Sequence, residues 1–303
     1  MHEHVFEDHR SLLFSVAYRI LGSVADAEDV VQDAWLRWSA AGRSDVADPK
    51  AYLVKIASNL AMDRLRSARV QRETYVGPWL PEPILTRPDV ADDAELAESV
   101  SMAMLVVLET LTPLERAVFV LREVFGFPFR EIAEAVGRSE VSVRQLGHRS
   151  REHVRARHPR VHGDARVRRA VTEKFYAAAL GGDINELMQV LAPDVTLWTD
   201  GGGKVRAAFR PVHGAANVAA WLAGVARRPY EGVAIEDMSV EIVDINGGPG
   251  LLVSGGGRTL SVSTVDLDEA GRVVTIHTIA NPDKLDHLSS ARGDGHGADD
   301  RAE

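Results

Sequence analysis

The sequence predicts a multidomain protein: two all-α domains, the second containing a helix-turn-helix, followed by an α+β domain whose curved sheet wraps helices. Three observations carry this. Apolar residues recur at helical spacing through residues 5–72 and again through 101–160. Four prolines fall between Pro78 and Pro88, separating the two helical stretches. Beyond about residue 165, two helical segments give way to β-branched runs divided by Gly and Asn. At 303 residues the chain has room for two or three domains.

The first domain, residues 1–72, opens with Phe6, Leu12, Leu13, Val16, Ala17, Ile20 and Leu21, a run that Gly22 ends. Ser23 can cap a second helix, DAEDVVQDAWLRWSAAG, whose early acids suit its positive end. Pro49 opens a third, PKAYLVKIASNLAMDRLRSARVQRE. Residues 73–100, Pro-rich and then acidic, read as a linker, although Trp79 and Leu80 are apolar enough to dock. In residues 101–160, MAMLVVLETL reads as one helix, and Thr112-Pro113 caps LERAVFVLREVFG. FREIAEAVG and SEVSVRQLGHRSREHVRAR then flank a turn at Gly137. Residues 165–288 contain the helices ARVRRAVTEKFYAAALGG and INELMQVLAP, the strands VTLWT, VEIVDI, GLLVSG, TLSVSTVDLD and RVVTIHTIA, and a helix GAANVAAWLAGVARR. Asp194, after Pro193, falls at a helix end. Residues 289–303 carry no apolar side chain larger than alanine and are expected to be a disordered tail.

Composition narrows the function classes. Hydrophobic residues make up 45% and charged residues 26%, as in packed soluble folds. No apolar run is long enough to span a membrane, and the polar MHEHVFEDHR has no signal-peptide core, so a cytoplasmic location is expected. The absence of cysteine excludes disulfides and thiolate metal sites. A net charge of −9 argues against DNA binding until its distribution is considered. Arginine concentrates in 63–72 and 138–160, and acid in 26–33, 89–98 and the tail.

The helix-turn-helix is the sharpest signal. Ile132, Ala133, Val136, Val141 and Val143 are placed to pack its two helices. Arg138, Ser142, Arg144, Gln145, His148, Arg149 and Arg151 are left for an outer face suited to base edges and phosphates. The plain alternative is an αα-hairpin with a solvated basic face. In the third helix Asn59, Asp63, Arg64, Arg66, Arg69 and Arg72, with Tyr52 upstream, could hold unstacked single-stranded bases. Taken by itself, the helix is better accounted for by a charged solvated face around a core tyrosine. The acidic side of the second helix could meet a basic partner helix.

Together, DAEDVVQDAWLRW with DPKAYLVKIASNLAMDRLRS, and TPLERAVFVLREVFGFPFREIAEAVGRSEVSVRQLGHRSREHVR, resemble regions 2 and 4 of extracytoplasmic-function sigma factors. YVGPWLPEP, GGGK and NPDKL resemble the ECF41-like subgroup, whose C-terminal extension has a SnoaL-like, NTF2-like fold. The resemblance implies that Asp26, Glu28, Asp29, Asp33 and Trp38 lie in the helix that docks on core RNA polymerase. It implies that Asn59, Asp63, Arg64 and Arg66 lie in the helix that recognises and melts the −10 element of promoter DNA. Ser142, Arg144, Gln145, Arg149 and Arg151 would then face the −35 element. One departure is Leu146-Gly147, where many relatives carry a further basic residue; Gly147 also costs about 1 kcal/mol of helix propensity.

The resemblance further implies that the extension controls sigma activity in cis. The marked residues are Trp79 and Leu80 in the linker, Asp200, Gly201 and Lys204, and Asn281, Pro282, Asp283, Lys284 and Leu285. A pocket in this domain is compatible with a small-molecule ligand. A catalytic pocket of the cyclase, isomerase or hydrolase kind is the rival reading, with Asp194, Asp200, Asp266, His213 and His277 as acid–base candidates. Asp194 suits a cap or turn, and His277 a core histidine, so no catalytic residue is assigned. A helix-turn-helix repressor is a third reading, but it leaves the first domain without a purpose. No cofactor is expected, and no metal: His148, His153 and His158 recur every five residues and diverge around a helix.

Overall fold

A computed structural model describes residues 2–41, 46–86, 101–157 and 165–293. Chain contacts divide it into two compact units, residues 1–74 with 103–159 and residues 75–102 with 160–303. The Pro-rich segment therefore groups with the C-terminal part of the chain.

The first unit is helical. Helices α1 (His2–Leu21), α2 (Val24–Ala41) and α3 (Pro49–Arg72) form a bundle. Its core includes Phe6, Leu13, Ile20, Val30, Leu53 and Leu65. Gly22, at φ 70°, closes α1, and the Ser23 hydroxyl accepts from the Asp26 N–H as α2 begins. Asp48 caps α3, with proline at the first helical position. The second half contains α4 (Met102–Leu108), α5 (Pro113–Phe119), a π-helical turn (Val120–Val124), α6 (Phe129–Val136) and α7 (Glu140–Arg157). Thr112 and Glu115 form a reciprocal capping box at α5. Two expectations are corrected here. MAMLVVLETL is helical only to Leu108 before it turns, and LERAVFVLREVFG passes from α-helix into the π turn.

The two helical groups pack on one another through buried charge. Glu109 accepts from Arg72 through one carboxylate oxygen and from Arg116 through the other. Arg116 is fully buried and also donates to the Arg19 carbonyl at 2.9 Å; Arg72 donates to the Leu21 carbonyl at 2.9 Å. One carboxylate thus ties α3 and α5 to the C-terminal end of α1, where free carbonyls attract cations.

The second unit is α+β. It contains α8 (Ala165–Gly181), α9 (Ile184–Val190), β1 (Leu191–Asp200), β2 (Val212–His213), α10 (Ala215–Ala226), β3 (Ser239–Ile245), β4 (Gly248–Gly255), β5 (Arg258–Leu267), β6 (Val273–Ile279) and α11 (Asp286–Gly293). The sheet order is β2-β1-β6-β5-β4-β3. β3 to β6 form the expected antiparallel meander, while β1 pairs parallel to β6. Asn246-Gly247, both at positive φ, turns β3 into β4. Leu197, Leu251 and Ile276 pack with Phe175, Tyr176 and Leu187 of the helices. The opposite face presents Asp200, Ile279, Val262 and Leu252 across the ladder, all buried.

Two C-terminal expectations also change. Pro193 and Asp194 belong to β1, at a register shift against β6, not to a helix end. Ser289–Gly293 continue α11 rather than begin a disordered tail, because Leu285 and Leu288 are buried and the Ser289 hydroxyl accepts from the Thr259 N–H at 3.0 Å. Residues 294–303 lie outside the described residues, as do the acidic stretch 89–98 and His158.

Candidate nucleic-acid interface and linker seat

Gly137, at φ 65°, ends α6, and the Ser139 hydroxyl accepts from the Ser142 N–H to start α7. Val143, Leu146, Gly147, Ser150 and Val154 form the buried stripe of α7. At about 100° per residue, the five candidate DNA-facing side chains occupy two flanks of the exposed side. Ser142, Gln145 and Arg149 lie on one flank. Arg144 and Arg151 lie on the other, and each is ion-paired. Arg144 donates to Glu140 through Nε (3.0 Å) and Nη2 (2.5 Å); Arg151 donates through Nε to Glu123 at 3.0 Å. Val141, which was expected to pack between the helices, is instead 67% exposed.

In α3, Arg64 bridges to α2. It pairs with Asp29 at 3.1 Å and Asp33 at 2.9 Å, and donates to the Asp26 carbonyl. The candidate polymerase-docking acids and a candidate DNA arginine thus share one network. Asp63 and Arg66 form an exposed pair, and Glu28 pairs with Arg10. Trp38 is buried and packs on Tyr52 at 5.9 Å, so both stabilise the bundle, and Trp38 does not present a docking surface. Asn59 donates to the Ala135 carbonyl at the end of α6 (2.9 Å). Unassigned from the sequence, an acid-rimmed groove of about 360 Å³ runs between α1 and α2. Glu3, Glu7, Glu28 and Asp29 line it, over Phe6 and Trp35.

The segments marked for regulation converge around one carboxylate. Asp200 is fully buried. Its Oδ2 accepts from Lys284 Nζ at 2.7 Å and from the Leu80 N–H at 2.8 Å; its Oδ1 accepts from the Tyr75 hydroxyl at 2.5 Å and the Gly202 N–H at 3.1 Å. Lys284 also donates to the Leu80 carbonyl and lies 4.0 Å from the Trp79 ring centroid. Asn281 donates to the Tyr75 oxygen at 2.8 Å, and Lys204 pairs with Asp283 at the rim. Pro282 starts the short 3₁₀ turn that carries Lys284, and buried Leu285 anchors its end. The glycines are steric requirements. A Cβ at Gly202 would lie 2.5 Å from Asn281 Nδ2, and one at Gly203 would lie 3.0 Å from Val76. Further along, Leu85 bridges to Ile245, with Thr86 N–H donating to the Asp244 carbonyl at 2.8 Å, so the linker adds to the free edge of β3. Tyr75 was not marked by the sequence reading. Burial, and then its bond to Asp200, raise its hydroxyl pKa well above the usual range.

The acid–base candidates scatter. Asp194 is exposed, Asp200 is consumed by the seat, and exposed His213 touches Thr196. His277 is buried, with Nδ1 lacking a hydrogen-bond partner and 3.6 Å from Asp266. Burial pushes Asp266 up to about 7 and His277 down to about 4. Among the described residues no cluster of His, Asp and Glu is arranged to hold a metal, and no helix is long and apolar enough to cross a membrane.

Comparison with known proteins agrees with this layout. Residues 5–70 match the sigma-70 region 2 family and residues 101–154 match sigma-70 region 4. The chain is 39% identical to the ECF RNA polymerase sigma factor SigJ of Mycobacterium tuberculosis, over 92% of each protein. It is 31% identical to the probable sigma factor SigI of that species, covering 95% of this chain and 96% of the relative. The crystal structure of SigJ superposes with a TM-score of 0.73 at 37% identity, covering 92% of this chain and 96% of the other. With two sigma regions in order and whole-length similarity to such factors, this chain belongs to the extracytoplasmic-function family of RNA polymerase sigma factors.

Proposed function

We propose that this sigma factor, which binds core RNA polymerase and promoter DNA as its family does, is controlled in cis by its own C-terminal unit through capture of the linker. The observation that carries this reading is the buried seat. Asp200 and Lys284 together hold both the N–H and the carbonyl of Leu80, whose side chain is 1% exposed. Elements at −10 and −35 lie roughly 25 base pairs apart, or about 85 Å. Residues 75–101 could span about 90 Å when free. A linker whose first dozen residues are fixed to a sheet cannot adjust freely to that distance.

The first unit supports the same reading. A unit of its size has a radius of gyration of about 14 Å. With Asn59 bonded to Ala135, the two regions must separate before both elements can be contacted. In the proposed division of work, Asp26, Glu28, Asp29 and Asp33 meet the polymerase. Asn59, Asp63, Arg64 and Arg66 act at −10, and Ser142, Arg144, Gln145, Arg149 and Arg151 at −35.

A small-molecule ligand is the finer part of the reading. Half-buried Trp221, Leu222 and Val253 pack against the helix-facing core, and the Ser263–Thr278 hydroxyl pair belongs to the same side of the sheet, a combination that suits an apolar molecule with one hydrogen-bonding group.

The test is in-vitro transcription with core polymerase, comparing the full chain with Lys284→Met. Hydrogen exchange at residues 75–86 reports release of the linker. Faster exchange with altered promoter output supports the reading; faster exchange with unchanged output refutes it.

A further inference from the structure

We infer that Phe129 is a positioning residue for −35 recognition: its ring, seated against Gly147, holds the Arg144 guanidinium in the orientation that reads a guanine. This rests on the proposed DNA-facing role of Arg144.

Four observations converge. Phe129 opens α6, and its ring lies under two arginines, with the Arg122 guanidinium carbon 4.6 Å and the Arg144 carbon 5.0 Å from the centroid. Arg122 is itself fixed by donation to the Phe127 carbonyl at 3.0 Å. Glycine at residue 147 gives the ring room to lie close against α7. A Cβ at that position would stand 3.0 Å from Phe129 Cε1 and in contact with Val118 Cγ1 at 3.7 Å, so the ring would have to shift by a few tenths of an ångström. Lastly, Glu140 accepts from Nε and Nη2 of Arg144 through one oxygen.

The chemistry follows from those contacts. A guanidinium held along its Nε–Nη2 side and stacked on a ring has lost most of its rotational freedom. Its Nη1–Nη2 end is the fork that matches O6 and N7 of guanine in the major groove. The side chain is 60% exposed, so that end is accessible. Gly147, a helix-weakening residue in the middle of a reading helix, thereby acquires a reason: it admits the plate on which Arg144 rests.

The experiment is transcription by core polymerase with the full-length factor from a promoter library randomised across the −35 element, read by sequencing the transcripts. Arg144→Ala defines the position that Arg144 reads. Phe129→Leu keeps an apolar plug but removes the aromatic face. It should lower guanine preference at that same position roughly two- to five-fold and leave other positions unchanged. Phe129→Tyr should restore the preference. Gly147→Ala, in case Phe129→Leu folds poorly, should relax the same position while raising helix propensity, which a purely structural role for the glycine does not predict. If Arg144→Ala flattens one position and neither Phe129→Leu nor Gly147→Ala affects it, the positioning role is overturned while the reading helix stands. If Arg144→Ala flattens no position, the DNA role of Arg144 fails and the inference fails with it.

Discussion

The α7 face and the linker seat both pair arginine or lysine with carboxylates, in opposite settings. Arg144–Glu140 and Arg151–Glu123 are partly exposed and local to one domain. Asp200–Lys284 is buried, with side chains 0% and 7% exposed, and the carboxylate also accepts from linker backbone, Tyr75 and the Gly202 N–H. Exposed pairs of this kind contribute about 0–1 kcal/mol and exchange readily. At Arg151 a phosphate can therefore replace the Glu123 carboxylate at little cost, while Arg144 keeps its Nη1–Nη2 end open beside Glu140. A buried pair behaves differently. Its desolvation is offset only when all partners are present, so it discriminates between complete and incomplete seating. In the proposed reading, readiness to exchange serves recognition and completeness serves control.

The contrast breaks most visibly at the seat. Lys284→Met leaves Asp200 buried and uncompensated, and should destabilise the second unit by about 3–5 kcal/mol. Asp200→Asn with Lys284→Met should recover much of that loss, measured by thermal melts. Equal losses in single and double variants would show that the pair is not coupled. Glu109→Gln tests a second buried carboxylate. It leaves Arg72 and Arg116 facing one another and should cost the first unit about 3 kcal/mol. It should also speed exchange of the Asn59–Ala135 contact region; a melt unchanged from wild type would contradict the clasp.

The pH response sharpens the comparison within the sheet. Asp266, raised to about 7, keeps a proton in the folded state that the unfolded chain has lost above its ordinary value near 4. His277, lowered to about 4, stays neutral when folded, while the unfolded imidazole charges below about 6.5. Between pH about 4 and 6.5 the two slopes oppose and nearly cancel. His277→Gln should therefore become less stable as pH rises from about 4 to 7, and Asp266→Asn less stable as pH falls from about 6.5 to 4. Each slope is at most about 1.4 kcal/mol per pH unit. Parallel pH profiles for the two variants would exclude this account. The smallest effect is at the exposed end. Glu123→Gln should change stability by under about 1 kcal/mol and, by freeing Arg151, tighten DNA binding at low salt.

Most of the fold was legible because its signals are local. Asp48-Pro49 and Thr112-Pro113 announce helix starts, and Asn246-Gly247 separates two strands. Errors arose where local chemistry has two meanings. Pro193 reads as a helix stop but sits inside a strand at a register shift, and the short turn after Leu108 is hidden in an apolar run. Within the candidate sites, the marked segments were recognisable, but their partners were not. Tyr75 reaches Asp200 across 125 positions and Asn281 across 206, and no periodicity encodes such distances. Trp38 was placed in a docking helix by resemblance, while its apolar spacing already pointed inward.

The linker's seating on a sheet of the same chain also has a quantitative consequence. A tethered site meets its target at an effective concentration in the millimolar range, whatever the number of copies in the cell. An association too weak to survive between separate molecules therefore suffices here. Its occupancy does not vary with expression level, whereas a separately encoded inhibitor would have to be matched to its target in amount and made at the same time.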